Sequence, residues 1–251
     1  MLASSIVAPA RERTHGSSRL VRIHSVRERI VYFILFCFGA LVGAMLGIRW
    51  ITRQAALITP PGCAPLLTSP LRLVYRRPAA LVRFIGPQPD WNVLDLGCGN
   101  GAFARDLARH AGQVCAVDVQ VTMVKQLARR LRGSGATNIC PLVAPAARLP
   151  FAAGAFDAVL MISVLPMLSD RGAALREVRR VLKPNGLLVV GEELIEPEYV
   201  SRPTAAAWVE GAGFTLRQRE SNWLCYTMKF VKAQRQAAAD AGAGHTALPR
   251  S

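Results

Sequence analysis

The chain is poor in the residues that usually hold metals or cross-links. Its 251 residues include only four histidines, at positions 15, 24, 110 and 245, and six cysteines, at 37, 63, 98, 115, 140 and 225. No two cysteines form a CxxC pair and no short regular spacing recurs, which argues against both a zinc site and a disulfide framework. A histidine-based metal cluster is not expected either, so the chemistry is read as metal-free and set in a reducing compartment. Charge is also sparse, at 19% of residues, and negative charge most of all: 16 Asp and Glu face 31 Lys and Arg. With 51% hydrophobic residues and a mean hydropathy of +0.26, the composition excludes a disordered chain and points toward membrane contact. At roughly 150 residues per domain, the length allows one domain with appendages. A core of that size folds without staples.

The excess positive charge is uneven. Residues 1–83 hold 12 Arg and 2 Glu, a net +10, whereas residues 84–251 hold 15 Arg, 4 Lys, 7 Asp and 7 Glu, a net +5. Two thirds of the excess therefore lies in the first third of the chain, around an apolar run. Arginines beside such a run are attracted to anionic lipid head groups by about 1 kcal/mol each, so anionic membrane lipids are expected partners. No basic motif interleaved with aromatics is present, and nucleic acid is not expected as a partner.

The apolar run is Ile30–Ile48, IVYFILFCFGALVGAMLGI, nineteen residues without a charge. As a helix at about 1.5 Å per residue it spans nearly the ~30 Å hydrocarbon core. Arg27 and Arg29 precede it, and Arg49, Trp50 and Arg53 follow as interface anchors. Gly39, Gly43 and Gly47 share one face, a spacing that permits close helix pairing. The 29 residues ahead of the run are too many for a signal peptide. One transmembrane helix over 30–48, preceded by a basic tail over 1–29, is the expectation. The arginine bias of that tail would place the N-terminus in the cytoplasm; the cytosolic cofactor argued below places the catalytic domain there instead. Met45 offers an alternative start for a shorter chain.

Residues 49–90 form a basic connector rich in proline, with Pro60, Pro61, Pro65, Pro70, Pro78, Pro87 and Pro89. Proline at this density breaks long helices. Between the prolines, SPLRLVYRRPAALVRFIG alternates Arg with apolar residues. That pattern fits a short amphipathic helix lying on a bilayer, or one packing on the domain as a cap over its active-site mouth.

From Trp91 onward strand-like and helical stretches alternate. Strands are expected at Asn92–Leu96, Val114–Val117, Asn138–Val143, Ala158–Ile162 and Gly186–Val190, with helices over Ala102–Ala111, Val121–Leu131 and Ala173–Leu182. Gly186–Val190 is apolar enough to be central and buried on both faces. The alternation predicts an α/β doubly wound sheet. Phe214–Glu220 and Leu224–Val231 fit an antiparallel edge hairpin turning near Ser221–Asn222. Residues 91–232 thus form the domain, and 233–251 read as a disordered tail.

The loop VLDLGCGNGAF, residues 93–103, follows a predicted strand and opens a predicted helix, the context in which its glycines carry meaning. Gly97 serves a sharp turn, Gly99 lets backbone approach a ligand, and Gly101 leaves room at the helix start. The helix N-terminus then offers N–H groups to an anionic group. Asp118 closes the second strand, where a carboxylate can accept from both hydroxyls of a ribose. Gly97, Gly99 and Ala102 fit a GxGxxA dinucleotide fingerprint, while Gly97, Gly99 and Gly101 fit GxGxG. On spacing alone the loop implies a nucleotide-like cofactor without saying which.

The segments VLDLGCGNG, AVDVQVTMVKQLARR, RLPFAAGAFDAVLMISVLPML, ALREVRRVLKPNGLLVVGEE and WVEGAGFTLRQRE, in this order, resemble class I S-adenosylmethionine-dependent methyltransferases of the type 11 kind, over roughly residues 91–232. The apolar span followed by the SPLR…RRP connector also resembles a bacterial membrane-anchored subgroup. The resemblance implies a Rossmann-like sheet of seven strands in the order 3-2-1-4-5-7-6, with the seventh antiparallel, and S-adenosyl-L-methionine as cofactor. By position, Asp95 would orient the methionine moiety, with Gly97, Cys98, Gly99, Asn100 and Gly101 forming the loop around it. Asp118 would hold the ribose, and Val119 and Gln120 would flank the adenine. Cys98 is read as a space-filler, not a nucleophile.

Two positions depart from the family pattern. Relatives often carry Asp-Ala four residues before LPF; here Pro145 stands there, which shifts adenine recognition to main-chain groups at Ala146 and Ala147. Where many relatives have His-His, this chain has Pro166-Met167, so no histidine base is offered and apolar acceptors are favoured. Ser163, past the fourth strand, and Glu192, with Glu193 beside it, are the polar groups considered for a base, the glutamates reading more readily as solvated loop carboxylates. The function expected is methyl transfer at the membrane to a small amphiphilic acceptor: a quinone precursor, a lipid or a hydrophobic small molecule. Two other readings stand beside it: a non-catalytic cofactor-binding or scaffold protein, and a nicotinamide oxidoreductase, which the sequence after Leu149 disfavours.

Overall fold

The computed structural model describes residues 17–55 and 70–233; within these, the side chains of 17–25, 45, 48, 49, 51–55, 70, 71 and 73 are not described. Most of the basic tail, much of the proline-rich connector and the tail from 234 onward lie outside the described residues. The chain divides into two units, Met1–Ile51 and Thr52–Ser251.

The first unit contains most of a single helix, α1 (Ser17–Ala55). The membrane localisation and the transmembrane helix expected over 30–48 are corrected here: among the described residues, no helix is long and apolar enough to cross a membrane. The unbroken run of described, uncharged side chains in α1 is Ile30–Ala44. Extending it backward brings in Arg29, Glu28 and Arg27, while Met45, Ile48 and Arg49 lie outside the described side chains.

The second unit is built on a seven-stranded sheet. Its strands are β1 (Asn92–Leu96), β2 (Gln113–Asp118), β3 (Ile139–Val143), β4 (Phe156–Ile162), β5 (Leu182–Glu193), β6 (Phe214–Ser221) and β7 (Cys225–Lys232). They lie in the order β3-β2-β1-β4-β5-β7-β6, the order the resemblance implied. β1 to β5 are parallel; β7 inserts antiparallel between β5 and β6. Its helices are α2 (Pro70–Tyr75), α3 (Pro78–Ile85), α4 (Ala104–Ala108), α5 (Val121–Leu131), α6 (Arg171–Val181) and α7 (Arg202–Gly211).

Strand alternation divides the core into two layers. Leu94, Leu96, Met161, Leu188 and Val190 face one layer with α6 and α7; Val93, Leu160, Ile162 and Val189 face the other with α3, α4 and α5. Complete burial of a Leu such as Leu188 contributes about 1.5–3 kcal/mol. The apolar runs of β4 and β5 are the mark of strands covered on both sides.

The connector's second helix, α3, starts on Pro78 and stops at Gly86, whose φ of 68° places it in the left-handed region and whose N–H bonds back to Val82 O. Its Leu81, Val82, Phe84 and Ile85 join the second core layer, so this amphipathic helix packs on the domain. Two helices differ from expectation. The stretch Ala102–Ala111 is helical only over the five residues of α4, and α7 was not anticipated. Ser201 caps α7, accepting from Thr204 N at 3.4 Å, with Pro203 in its first turn.

Candidate active site

The loop between β1 and α4 forms one wall of a cavity of about 250 Å3 at the carboxyl ends of the parallel strands. Gly97 has φ 75° and packs so closely on β4's exit that a Cβ would stand 2.2 Å from Val164 Cγ2. A Cβ on Gly101 would stand 2.4 Å from Leu127 Cδ1, so the space at that glycine is filled by α5. Helix α4 begins only at Ala104 and lasts five residues, too short for the anion-binding N-terminus expected of it.

Asp118, at the end of β2, ties the loop down. Its Oδ2 accepts from Gly99 N at 2.9 Å and its Oδ1 from Gln120 N at 2.8 Å. Gly97 N and Cys98 N donate to Val117 O at 2.7 and 3.0 Å. The structure brings Asp95, Gly97, Cys98, Gly99, Asp118 and Ser163 to the cavity wall, together with Val119, Gln120, Ala146 and Ala147. Asn100 and Gly101 stand behind the loop, outside the lining; Asn100 is buried and its carbonyl accepts from Arg130 Nη1. Pro145 is in the wall, where its carbonyl accepts from Arg148 N.

Asp95 is 2% exposed, and its Oδ2 has no hydrogen-bond partner. Burial pushes its carboxyl up to about 7, the Asp118 charge adds to the shift, and Arg72 pulls the other way. Burial also drives the Cys98 thiol up, the state least suited to nucleophilic attack. Ser163 holds a left-handed φ of 56°, its N–H bonds to Gly191 O at 2.8 Å, and its buried Oγ is without a partner. The Pro166-Met167 pair lies in a 3-10 turn (Leu165–Met167); Met167 and Leu168 line the cavity beside Ser163.

The two adjacent glutamates are not solvated loop carboxylates. Both lie in β5, with Glu192 1% and Glu193 0% exposed. Arg72 of α2 grips Glu193 from two nitrogens, at 2.8 Å (Nη2) and 3.0 Å (Nε). Tyr75 Oη donates to it at 2.9 Å and Arg76 Nε at 3.2 Å. Arg76 also reaches Thr227 Oγ1, Glu192 O and Tyr226 O. Glu193 is held below the usual carboxylate range by these cations against the opposing effect of burial. Glu192 points elsewhere: it is not part of the lining, its Oε1 has no partner, and burial raises its carboxyl well above the ordinary value. Three residues on, Glu196 does line the cavity, with its carboxyl raised by burial and by Glu193. Arg72 and Glu196 were missed in the sequence, since no local pattern joins α2 to residues more than 120 positions away.

Residues 94–190 match the family model described as "Methyltransferase domain". The chain is 38% identical over 119 residues to the demethylmenaquinone methyltransferase of Beutenbergia cavernae, covering 47% of each. It is 32% identical over 134 residues to the ubiquinone biosynthesis O-methyltransferase of Caulobacter vibrioides, covering 51% of this chain and 53% of that one. The chain thus spans about half the length of these curated relatives. A S-adenosylmethionine-dependent methyltransferase from Aquifex aeolicus superposes with a TM-score of 0.66 at 24% identity, over 70% of this chain and all of that one, a likeness of fold. Residues 94–190 thus match a methyltransferase domain, and the sheet is that of the Rossmann-like methyltransferase fold; the cofactor this likeness implies is S-adenosylmethionine.

The residues present fit that cofactor. Asp95 offers a buried carboxylate oxygen without a partner, and Asp118 a second carboxylate beside it, matching an ammonium and a ribose. Among the described residues no group of His, Cys, Asp and Glu is arranged to hold a metal.

Proposed function

We propose that the chain transfers the methyl group of S-adenosylmethionine to a small acceptor with an apolar, quinone-like ring. The observation that carries this reading is the make-up of the cavity wall. Carboxylates and backbone groups of the glycine loop share it with the apolar Ile162, Val164, Met167 and Leu168, which flank Ser163 in the sequence or follow it within five residues. The names of two relatives, acting in menaquinone and ubiquinone synthesis, support the acceptor class.

S-adenosylmethionine supplies a methyl group already activated by its sulfonium. What remains for the chain is positioning and desolvation. Asp95 and the loop backbone would hold the methionine moiety, Asp118 the ribose, and the main chain at Ala146 and Ala147 the adenine. The apolar wall would exclude water and seat the acceptor ring. Ser163 Oγ would accept a hydrogen bond from an acceptor hydroxyl and orient it; where that hydroxyl must lose a proton, Glu196 is a carboxyl in the wall, outside the cofactor loop, that would take it in its ionised form. Glu192 has no part in this account, because it is absent from the lining.

The test is production of S-adenosylhomocysteine from S-adenosylmethionine with a panel of demethylated quinone precursors, hydroxybenzoates and fatty acids. Turnover confined to the ring-bearing acceptors is the expected result. Turnover only with fatty acids would overturn the acceptor class. Binding of NADH in place of S-adenosylmethionine would overturn the reaction itself.

A further inference from the structure

A cavity of about 480 Å3 opens at the end of the sheet opposite the candidate active site, where α6 ends, β5 begins and β7 finishes. Arg176, Arg179, Arg180, Pro184, Asn185 and Lys232 line it, and no Asp or Glu does. Three of its four cations come from the segment ALREVRRVLKPNG, to which the methyl-transfer reading gives no task.

The four cations are not equivalent. Arg180 belongs to the fold: Glu177 accepts from its Nε and Nη2, both at 2.8 Å, and the carbonyls of Phe151 and Leu149 accept from Nη1 and Nη2. Lys183, outside the lining, is likewise paired, with Asp157 at 2.8 Å. Arg176, Arg179 and Lys232 form no ion pair with any acid among the described residues. Two of the three are oriented by carbonyls: Arg179 Nη2 donates to Ala233 O and Lys232 Nζ to Leu182 O, each at 3.1 Å. A carbonyl orients a cation without neutralising it. Burial and the neighbouring Arg179 charge both pull the half-buried Lys232 ammonium below the usual lysine range.

A concave site lined by charges of one sign focuses their field and draws in counter-ions. Three unpaired cations from two elements suit a ligand that carries several negative charges on few atoms. A phosphate group is such a ligand, because its oxygens accept charge-assisted hydrogen bonds from guanidinium and ammonium donors converging from different directions. The volume falls within the range of about 300–1,000 Å3 common to small-molecule pockets, which favours a compact ligand over a long polyanion.

We propose that this cleft binds the phosphate or diphosphate group of a small phosphorylated molecule through Arg176, Arg179 and Lys232, at a site separate from that of methyl transfer. Helix α6 runs between the two sites: Asp170 and Ala174, toward its start, line the active-site cavity, and Arg176 and Arg179, further along, line the cleft.

The test is isothermal titration of the full chain with inorganic pyrophosphate at constant ionic strength, with S-adenosylhomocysteine titrated in parallel. Constant ionic strength separates a defined site from the general attraction of a basic surface, which salt screens. The wild type is expected to bind one pyrophosphate with a dissociation constant below about 1 mM. Arg176→Gln and Lys232→Gln should each weaken pyrophosphate by about tenfold, the loss of one charge-assisted hydrogen bond, and leave the affinity for S-adenosylhomocysteine unchanged. Arg176 is exposed and pairs with no other described residue, so its substitution tests the site without loosening the domain. Absence of saturable pyrophosphate binding by the wild type would overturn the proposal. Binding that both variants leave intact, or that S-adenosylhomocysteine displaces, would place the anion elsewhere and overturn it equally. Heparin binding without pyrophosphate binding would mark a polyanion surface in place of a small-molecule site.

Discussion

Two buried carboxylates stand near the carboxyl ends of parallel strands, one strand apart, and differ in every other respect. Glu193, at the end of β5, receives hydrogen bonds from Arg72, Tyr75 and Arg76 and is held in its ionised form. Asp95, in β1, is as deeply buried, yet one of its oxygens has no partner and burial favours its proton. The first carboxylate is satisfied by the protein and belongs to the architecture. The second is satisfied only when something else arrives. A buried polar group left without a partner costs about 1–3 kcal/mol, a cost that a well-matched ligand removes on binding. The fold thus keeps an acceptor in reserve at the end of β1 and seals the one at the end of β5.

This contrast breaks most visibly at Glu193. Glu193→Ala leaves Arg72 and Arg76 buried without their shared carboxylate, and removal of one member of a buried ion pair costs about 3–5 kcal/mol. Urea denaturation should show that loss, and a change under 1 kcal/mol would mean that the cluster is solvated. Asp118→Ala should come next, weakening S-adenosylmethionine binding by about 1.5–3 kcal/mol through loss of charged acceptors for the ribose and of the hold on Gly99 and Gln120. An unchanged dissociation constant would displace the cofactor from the end of β2.

Asp95→Asn sharpens the comparison through pH. The unfolded chain releases the Asp95 proton near 3.8 and the folded, ligand-free protein near 7. Between those values the folded state binds more protons, so this group makes stability fall as pH rises, by at most ~1.4 kcal/mol per pH unit. Asp95→Asn should remove that slope from the ligand-free protein, and an unaltered slope in thermal melts from pH 5 to pH 8 would show that Asp95 titrates normally. Pro145→Asp should have the smallest effect. A carboxylate there offers the adenine amino group an acceptor, and the gain in affinity, after desolvation and loss of the proline's rigidity, is about threefold to tenfold. Weaker binding by Pro145→Asp would show that the proline shapes the pocket.

Much of this was legible in the sequence, for identifiable reasons. β4 and β5 announce themselves because strands covered on both faces read as continuous apolar runs. The glycine loop and Asp118 lie within one strand–helix–strand segment, so their relation is local. Helix α7 was missed because its alanines give little apolar contrast, although Ser201 and Pro203 mark its start. Glu192 and Glu193 read as a loop because charge after an apolar run usually means solvent; what buries them is α2, 121 residues before Glu193. Arg72 was illegible for the same reason. The apolar run of α1 was read as a membrane span from its composition, an expectation the described residues do not sustain.

The placement of β7 bears on how the domain comes into being. β5 is paired with β4 on one side, but its other neighbour is the last strand of the sheet, and β6, made earlier, pairs with no strand but β7. During synthesis at roughly 5–20 residues per second, β5 therefore carries a bare edge until some forty further residues have emerged. Until β7 follows, β6 has no strand to pair with. A stop codon at Cys225 would leave both strands unmatched, exposing a sticky edge of the kind that recruits chaperones or pairs with another nascent chain.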